Sequence, residues 1–384
     1  MTRRLTHVVE SLEPWGTQRM LAITARRLPA AEYSQRVVAL RTSGAGDVSC
    51  RAELEAAGVT VEVIGRRDPD DDSPLRTMWK LRPHVSRGAT DLVHLWDDAA
   101  IAAAGPWIAP PLVGPAAVCS IRGPRRELPW LRTVFERRTL LRARPIISDA
   151  RVLLQRLTDL VPFGMHNQSI DKRLVAVPHD PIESHATRTV AEVRAVLGMS
   201  PTTKLIGTAC RLTPDANVRD LLFAGALLKL VHDDYRIVVC GVGPSLDDLR
   251  RFATLMRIDD ITIFTGLEIE PDEVISALHS YVAPSYWTGR AREVGVALGS
   301  GVPVVAADTP IHRDEFDVDR NGFVFREHDQ GDLTRHLHQL LSEPELHARM
   351  AAAAVERATM FNDPDDVVQC YVEAYERALT ATGR

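Results

Sequence analysis

Short apolar runs alternate with longer amphipathic stretches along the whole chain. Runs rich in Val, Ile and Leu at residues 5–9, 36–40, 60–64, 91–95, 116–121, 145–148 and 174–177 predict strands buried on both faces, as in parallel sheets. Stretches with helical spacing lie between them, at 18–28, 51–57, 99–108, 128–141 and 150–160, and Gly58 follows Ala57 as a helix stop. The periodicity is lost at 179–189, a polar segment with Pro181, which predicts a linker. A second series follows. Its strands are predicted at 204–210, 236–240, 261–264, 281–283, 302–306 and 322–325, and its helices at 190–197, 217–231, 244–255, 271–278, 292–299, 332–341 and 344–359. Pro244, Pro271 and Pro344 each stand where a first-turn proline is tolerated.

This alternation predicts an α/β chain of two doubly wound Rossmann-like domains facing a cleft. Their expected spans are 1–178 and 190–360, joined by 179–189 and followed by a last helix within 361–384. That helix carries Val367, Tyr371, Ala374, Tyr375 and Leu379 at helical spacing. Its stripe packs either on the second domain or, returning across the linker, on the first. Ligands of open α/β sheets bind outside the carboxyl ends of the strands, so the site is expected there.

Composition narrows the class. A length of 384 residues exceeds what one hydrophobic core usually spans, so two domains are the default. A formal net charge of -5 offers no footprint for nucleic acid. The cysteines Cys50, Cys119, Cys210, Cys240 and Cys370 are far apart and form no Cys-x-x-Cys pair, which argues against a zinc site or a disulfide framework. No apolar run reaches the ~18–20 residues of a membrane span. The N-terminus reads as a first strand, not a signal peptide. The expected place is the cytoplasm, with peripheral contact at the inner membrane face. That contact would use the basic stretch from Arg122 to Arg144, where arginines interleave with Leu128, Trp130 and Phe135; the alternative is a core-packed helix with its arginines outward.

The pieces GTACRLTPDANVRDLL, CGVGP, ITIFTG, APS, ALGSGVPVVAAD and NGFVF stand in this order across about 150 residues of the second half. Together they resemble the donor domain of retaining GT-B glycosyltransferases of family 4, the glycosyltransferase group 1 type. In the first half, HVVESLEPWGTQRMLAITARRL resembles that family's opening strand, glycine loop and helix, with Gly16 present and Trp15 where a second glycine is usual.

The resemblance implies transfer of a sugar from a nucleotide-sugar donor to a glycan, lipid or small-molecule acceptor. It further implies retention of configuration, no metal and no cofactor beyond the nucleotide-diphosphate sugar as co-substrate. A diphosphate leaving group builds negative charge, which amides at a helix N-terminus and cationic side chains can stabilise. Arg211 falls on the family arginine. The family lysine falls on Ala216, its two glutamates on Thr288 and Val296, and its first-domain histidine on Arg122. Several expected charges are therefore missing. Arg290, Ala291 and Arg292 open the helix after APS, and Arg211, Arg290 and Arg292 are expected to form a basic pocket for the diphosphate. Glu293 lies nearly one turn before Val296 and is the expected stand-in for its carboxylate. The catalytic set is thus Arg211, Glu293 and Arg122. Donor binding is assigned to Gly16, Gly243, Thr265, Gly266, Leu267, Ser285, Thr288, Arg290, Ala291 and Arg292.

Other candidates have plainer readings. His94 ends a strand, as a satisfied histidine or an acceptor contact; Asp97 and Asp98 suit a helix cap. His336 and His338 stand two apart, so on a helix they face different sides, and no metal is assigned. The lost glutamates leave a second function in view, a GT-B homologue without transfer activity that acts as a binding or scaffold protein. Another activity on the same fold, such as epimerisation, is a third.

Overall fold

The computed structural model describes residues 2–42, 50–65, 74–86, 88–108, 114–121, 146–148, 174–176, 183, 185–286, 292–361 and 363–381. The chain forms two compact units. One takes Met1–Gly44, Ser49–Asp180 and Asp363–Arg384; the other takes Pro181–Asn362.

The first unit carries a seven-stranded parallel sheet in the order β3-β2-β1-β4-β5-β6-β7. Its strands are β1 Arg3–Val9, β2 Tyr33–Ala39, β3 Thr60–Val63, β4 Leu92–Leu95, β5 Ala116–Ile121, β6 Ile146–Ser148 and β7 Leu174–Ala176. Its described helices are α1 Gly16–Arg27, α2 Arg51–Ala56, α3 Pro74–Leu81 and α4 Asp98–Ile108. Alternate strand residues feed two cores. Leu92, Trp96 and Val118 pack under α1, while Val93, Leu95 and Cys119 pack under Leu81 and Ile101.

The second unit carries a six-stranded parallel sheet in the order β10-β9-β8-β11-β12-β13. Its strands are β8 Lys204–Ala209, β9 Tyr235–Cys240, β10 Thr262–Gly266, β11 Ser280–Ala283, β12 Val304–Ala307 and β13 Gly322–Phe325. Its helices are α5 Val190–Val196, α6 Val218–Leu228, α7 Leu246–Leu255, α8 Pro271–Ala277, α9 Arg292–Gly299, α10 Pro310–Glu315, α11 Gln330–Ser342 and α12 Pro344–Ala358. Thr189 opens α5 with a capping box: its hydroxyl accepts from Glu192 N, and the Glu192 side chain returns to Thr189 N at 2.8 Å.

The last helix, α13 Pro364–Ala381, belongs to the first unit. Its stripe of Val367, Tyr371, Ala374, Tyr375 and Leu379 is buried in the same core as Leu5, Tyr33 and Trp96. Tyr375 Oη lies 2.8 Å from His94 Nδ1, and Ser120 Oγ lies 2.7 Å from His94 Nε2. His94 therefore sits in the core with both ring nitrogens engaged. Trp96 Nε1 donates to His7 Nδ1 at 3.0 Å, which leaves the His7 proton on Nε2, facing Gln35 Oε1 at 3.3 Å. Burial lowers the His7 pKa to about 4, so the ring is neutral. Among the described residues no helix is long and apolar enough to cross a membrane.

Candidate donor site at the carboxyl edge of the second sheet

In the second unit the strand order reverses between β8 and β11. Crevices at such a reversal are the usual ligand sites of open α/β sheets. Cys210 and Arg211 leave β8 there, and Pro284, Ser285 and Tyr286 leave β11.

Backbone bonds knit the surrounding loops into one edge. Cys210 N donates to Cys240 O at 3.0 Å, Leu212 N to Val242 O at 2.9 Å, Ser245 N to Leu212 O at 3.0 Å and Gly241 N to Gly266 O at 2.8 Å. A Cβ on Gly243 would lie 2.3 Å from Leu212 O, so only glycine allows the β9 loop to approach the β8 loop this closely. The Leu212 side chain is fully buried and anchors the pair. Ser285 is spent on the same knitting: its Oγ donates to Asp215 O at 2.8 Å, fixing the single 3₁₀ turn Pro214–Ala216 against the end of β11. Asn217, left-handed at φ 51°, then redirects the chain into α6.

Arg211 is half-buried at this edge. Thr265 and Leu267 are buried, at 7% and 6% exposure, so a ligand at β10 meets mainly backbone around the half-exposed Gly266. Glu293 opens α9 and is 9% exposed. Burial first, and the Glu293 charge among the further causes, push the Cys210 and Cys240 thiols up to about 12 and raise the Tyr281 hydroxyl. The helix α9 follows β11, so Glu293 at its start stands on the same carboxyl edge. Arg211, Gly243, Thr265, Gly266, Leu267, Ser285 and Glu293 share this one edge.

Arg292 has a different role from the one its sequence position suggested. Its side chain is 4% exposed and does not stand open beside Arg211. Nη1 and Nη2 donate to Asp272 Oδ1 and Oδ2 at 2.8 and 2.7 Å, and Nη2 also reaches Glu183 O. A buried guanidinium needs a paired carboxylate, and Asp272 supplies it. The positions of two family charges are closed as well. Ala216 is 8% and Val296 1% exposed, each inside a hydrophobic core. Thr288, Arg290, Ala291 and Arg122, the arginine-rich stretch that follows it and the linker residues His179 and Asp180 lie outside the described residues.

In the first unit the order reverses between β1 and β4. Gly16, after Trp15, is the first residue of α1 at this edge. The edge is acidic. Asp97 caps α4, accepting from Ala100 N at 2.8 Å and from Glu10 N at 2.6 Å. Burial, and then the charge of Glu10, raise the Asp97 pKa to about 7 against those two bonds. Glu10 pairs with Arg41 at 3.4 Å, and Glu13 is 7% exposed. Elsewhere, His338 Nδ1 meets His232 Nε2 at 2.8 Å and His336 stacks on Phe323. Among the described residues no group of three or more His, Cys, Asp or Glu converges to hold a metal ion.

Residues 190–357 match the family model described as Glycosyl transferases group 1. The chain is 26% identical over 273 residues to D-inositol 3-phosphate glycosyltransferase of Stackebrandtia nassauensis, covering 67% of this chain and 60% of that protein. It is 27% identical over 172 residues to alpha-monoglucosyldiacylglycerol synthase of Streptococcus pneumoniae, covering 44% of this chain and 36% of that one. The matches thus span between about a third and three-fifths of these relatives. Among solved structures, Anabaena HepE in complex with UDP-glucose aligns over 100% of both chains with a TM-score of 0.77 at 15% identity. WaaG, a glycosyltransferase involved in lipopolysaccharide biosynthesis, aligns over 98% of both chains with a TM-score of 0.73 at 14% identity. The fold of two parallel-sheet Rossmann-like units is that of GT-B glycosyltransferases.

Proposed function

We propose that this chain, whose second unit carries a glycosyltransferase group 1 domain, transfers a sugar from a nucleotide-sugar donor to an acceptor hydroxyl, with retention of configuration and without a metal. The observation that carries the reading is the edge at the β8–β11 reversal. There Arg211, the glycine-tightened β9 loop and the opening turn of α9 stand together. Arg211 and the amides at the start of α9 would take the charge of the departing diphosphate. Glu293 would accept from donor hydroxyls in place of the carboxylate absent at Val296. The backbone around Gly266 would meet the base.

A phosphate-bearing or lipid acceptor agrees with the names of the two relatives. The acceptor edge is assigned to the first unit, with Gly16 at the start of α1 and Arg122 after β5. The chain is placed in the cytoplasm, at or near the inner membrane face.

A second reading, donor binding without transfer, draws on the buried Ala216 and Val296, which leave no room for the missing lysine and glutamate. Calorimetry and turnover with UDP-, GDP- and ADP-sugars separate the two. The enzyme reading expects binding of one donor and its slow hydrolysis. Binding with no turnover by any acceptor class leaves the second reading, and no binding of any donor removes both.

A further inference from the structure

The chain that enters the second unit is strapped to the helix that opens the candidate donor site. Two adjacent carboxylates at the start of α8 hold His185, Thr187 and Arg188. Glu273, 2% exposed, accepts from Thr187 N and Oγ1 at 3.0 and 2.8 Å and from Arg188 N and Nη1 at 3.0 and 3.2 Å. Asp272, 1% exposed, accepts from His185 N at 2.9 Å and, on the same carboxylate, from the Arg292 fork. Arg292 closes the loop by donating to Glu183 O. Glu273 therefore holds the strap alone, whereas Asp272 holds the strap and the first residue of α9 together. Burial pushes the Asp272 carboxyl up, but the Arg292 hydrogen bonds and charge, with His185 N–H, outweigh it and hold the group below its ordinary value. Both partners are charged.

We propose that Asp272 and Arg292 are positioning residues: through them the strap of Glu183 and residues 185–188 sets the first turn of α9, and with it the affinity of the site for a nucleoside diphosphate. One residue faces two ways. The Arg292 backbone is the first residue of the helix whose amides would receive the diphosphate, while its side chain is fixed at both ends by Asp272 and Glu183 O. Amides bind charge well only when held beforehand in the right place, so loss of the Asp272–Arg292 tie reads out as affinity, whereas loss of the Glu273 contacts with Thr187 and Arg188 alone does not. Sequence position alone made Arg292 a phosphate ligand; its geometry makes it the tie between the strap and the site. The affinity part of this inference rests on the donor-site reading above; the mechanical part does not.

The test uses the full chain with UDP, GDP and ADP as probes, and amide hydrogen exchange in their absence. Asp272→Asn is expected to weaken the bound diphosphate at least about 10-fold and to speed exchange at 292–295 by a similar factor. Glu273→Gln is expected to speed exchange at 185–189 and leave affinity within about twofold. Arg292→Lys keeps the charge but loses the fork, so it should fall between wild type and Asp272→Asn. If Asp272→Asn does not fold, the same readouts on Arg292→Lys decide. Unchanged exchange at 292–295 in the folded variant overturns the inference, as does unchanged affinity where the wild type binds. If the wild type binds none of the three probes, the donor-site reading fails separately, and the exchange data alone then support or overturn the tie between strap and helix.

Discussion

The two sheets are wound alike and end unlike. Each reverses its strand order at one place, β1–β4 in the first unit and β8–β11 in the second. At the first reversal the chain gathers Glu10, Glu13 and Asp97, and a carboxyl raised to about 7. At the second it gathers Arg211, glycine-tight backbone and a helix N-terminus. The topology decides where a ligand can sit, and the loop residues decide its charge. The second edge offers an anion a guanidinium and backbone donors, whereas the described part of the first offers carboxylates, one of them paired with Arg41.

The largest expected effect would break that comparison if it failed. Arg211→Ala should lower kcat/KM for the nucleotide-sugar by about 10²–10³-fold, the usual loss on removing one group that stabilises developing charge. Asp97→Asn should leave nucleotide affinity within about twofold. Equal losses in both variants, measured by calorimetry and initial rates, would mean that the two edges are not chemically distinct.

A smaller effect sharpens the account of the second edge. Gly243→Ala places a Cβ 2.3 Å from Leu212 O, against backbone that cannot step aside, and should cost at least about 2 kcal/mol. Gly266→Ala meets open space and bears only the strain of φ +58°, about 1 kcal/mol. Urea unfolding of the two variants measures the difference. If Gly266→Ala proves the costlier, close approach of the β8 and β9 loops is not what requires glycine here.

How much of this was legible in sequence follows from which interactions are local. Every observed strand overlaps a predicted apolar run, because buried parallel strands are marked by their own Val and Ile. Among the described residues two helices were missed. α10 announces itself through Thr309, whose hydroxyl accepts from His312 N, and through Pro310, but it is too short to show a stripe. α3 leaves Leu75 and Trp79 exposed, so its apolar residues do not line one buried face. The stripe of α13 was readable while its destination was not, since Tyr375 and His94 are 281 residues apart in sequence. The edge at the β8–β11 reversal was legible as glycines and turns. Arg292 was misplaced because its partner, Asp272, lies 20 residues away, in the first turn of another helix.

The smallest effect tests whether the two units also differ as proton-sensitive bodies. A histidine held neutral in the fold costs stability when the unfolded chain takes up protons that the native state refuses, here between pH 6.5 and about 4. In the second unit, burial and then the neighbouring His347, with Lys204 and Arg194 also contributing, lower His279 to about 4. His312, His336 and His347 are lowered as well. In the first unit His7 does the same, but Asp97 opposes it. A carboxyl raised to about 7 binds its proton in the native state first, so its contribution rises as pH falls from about 7 towards 3.8. Moving from pH 7 to pH 5 should therefore reduce the exchange protection of β8 and β11 by about 20-fold through His279, close to 2 kcal/mol, with the other lowered histidines adding in the same direction and β1 and β4 changing far less. Asp97→Asn removes the opposing proton uptake and should bring β1 and β4 down by a similar 20-fold through His7, with the lowered His84 acting in the same direction. Equal loss of protection in both sheets of the wild type would show that Asp97 does not buffer the first unit, and the contrast between the units would then rest on their edges alone.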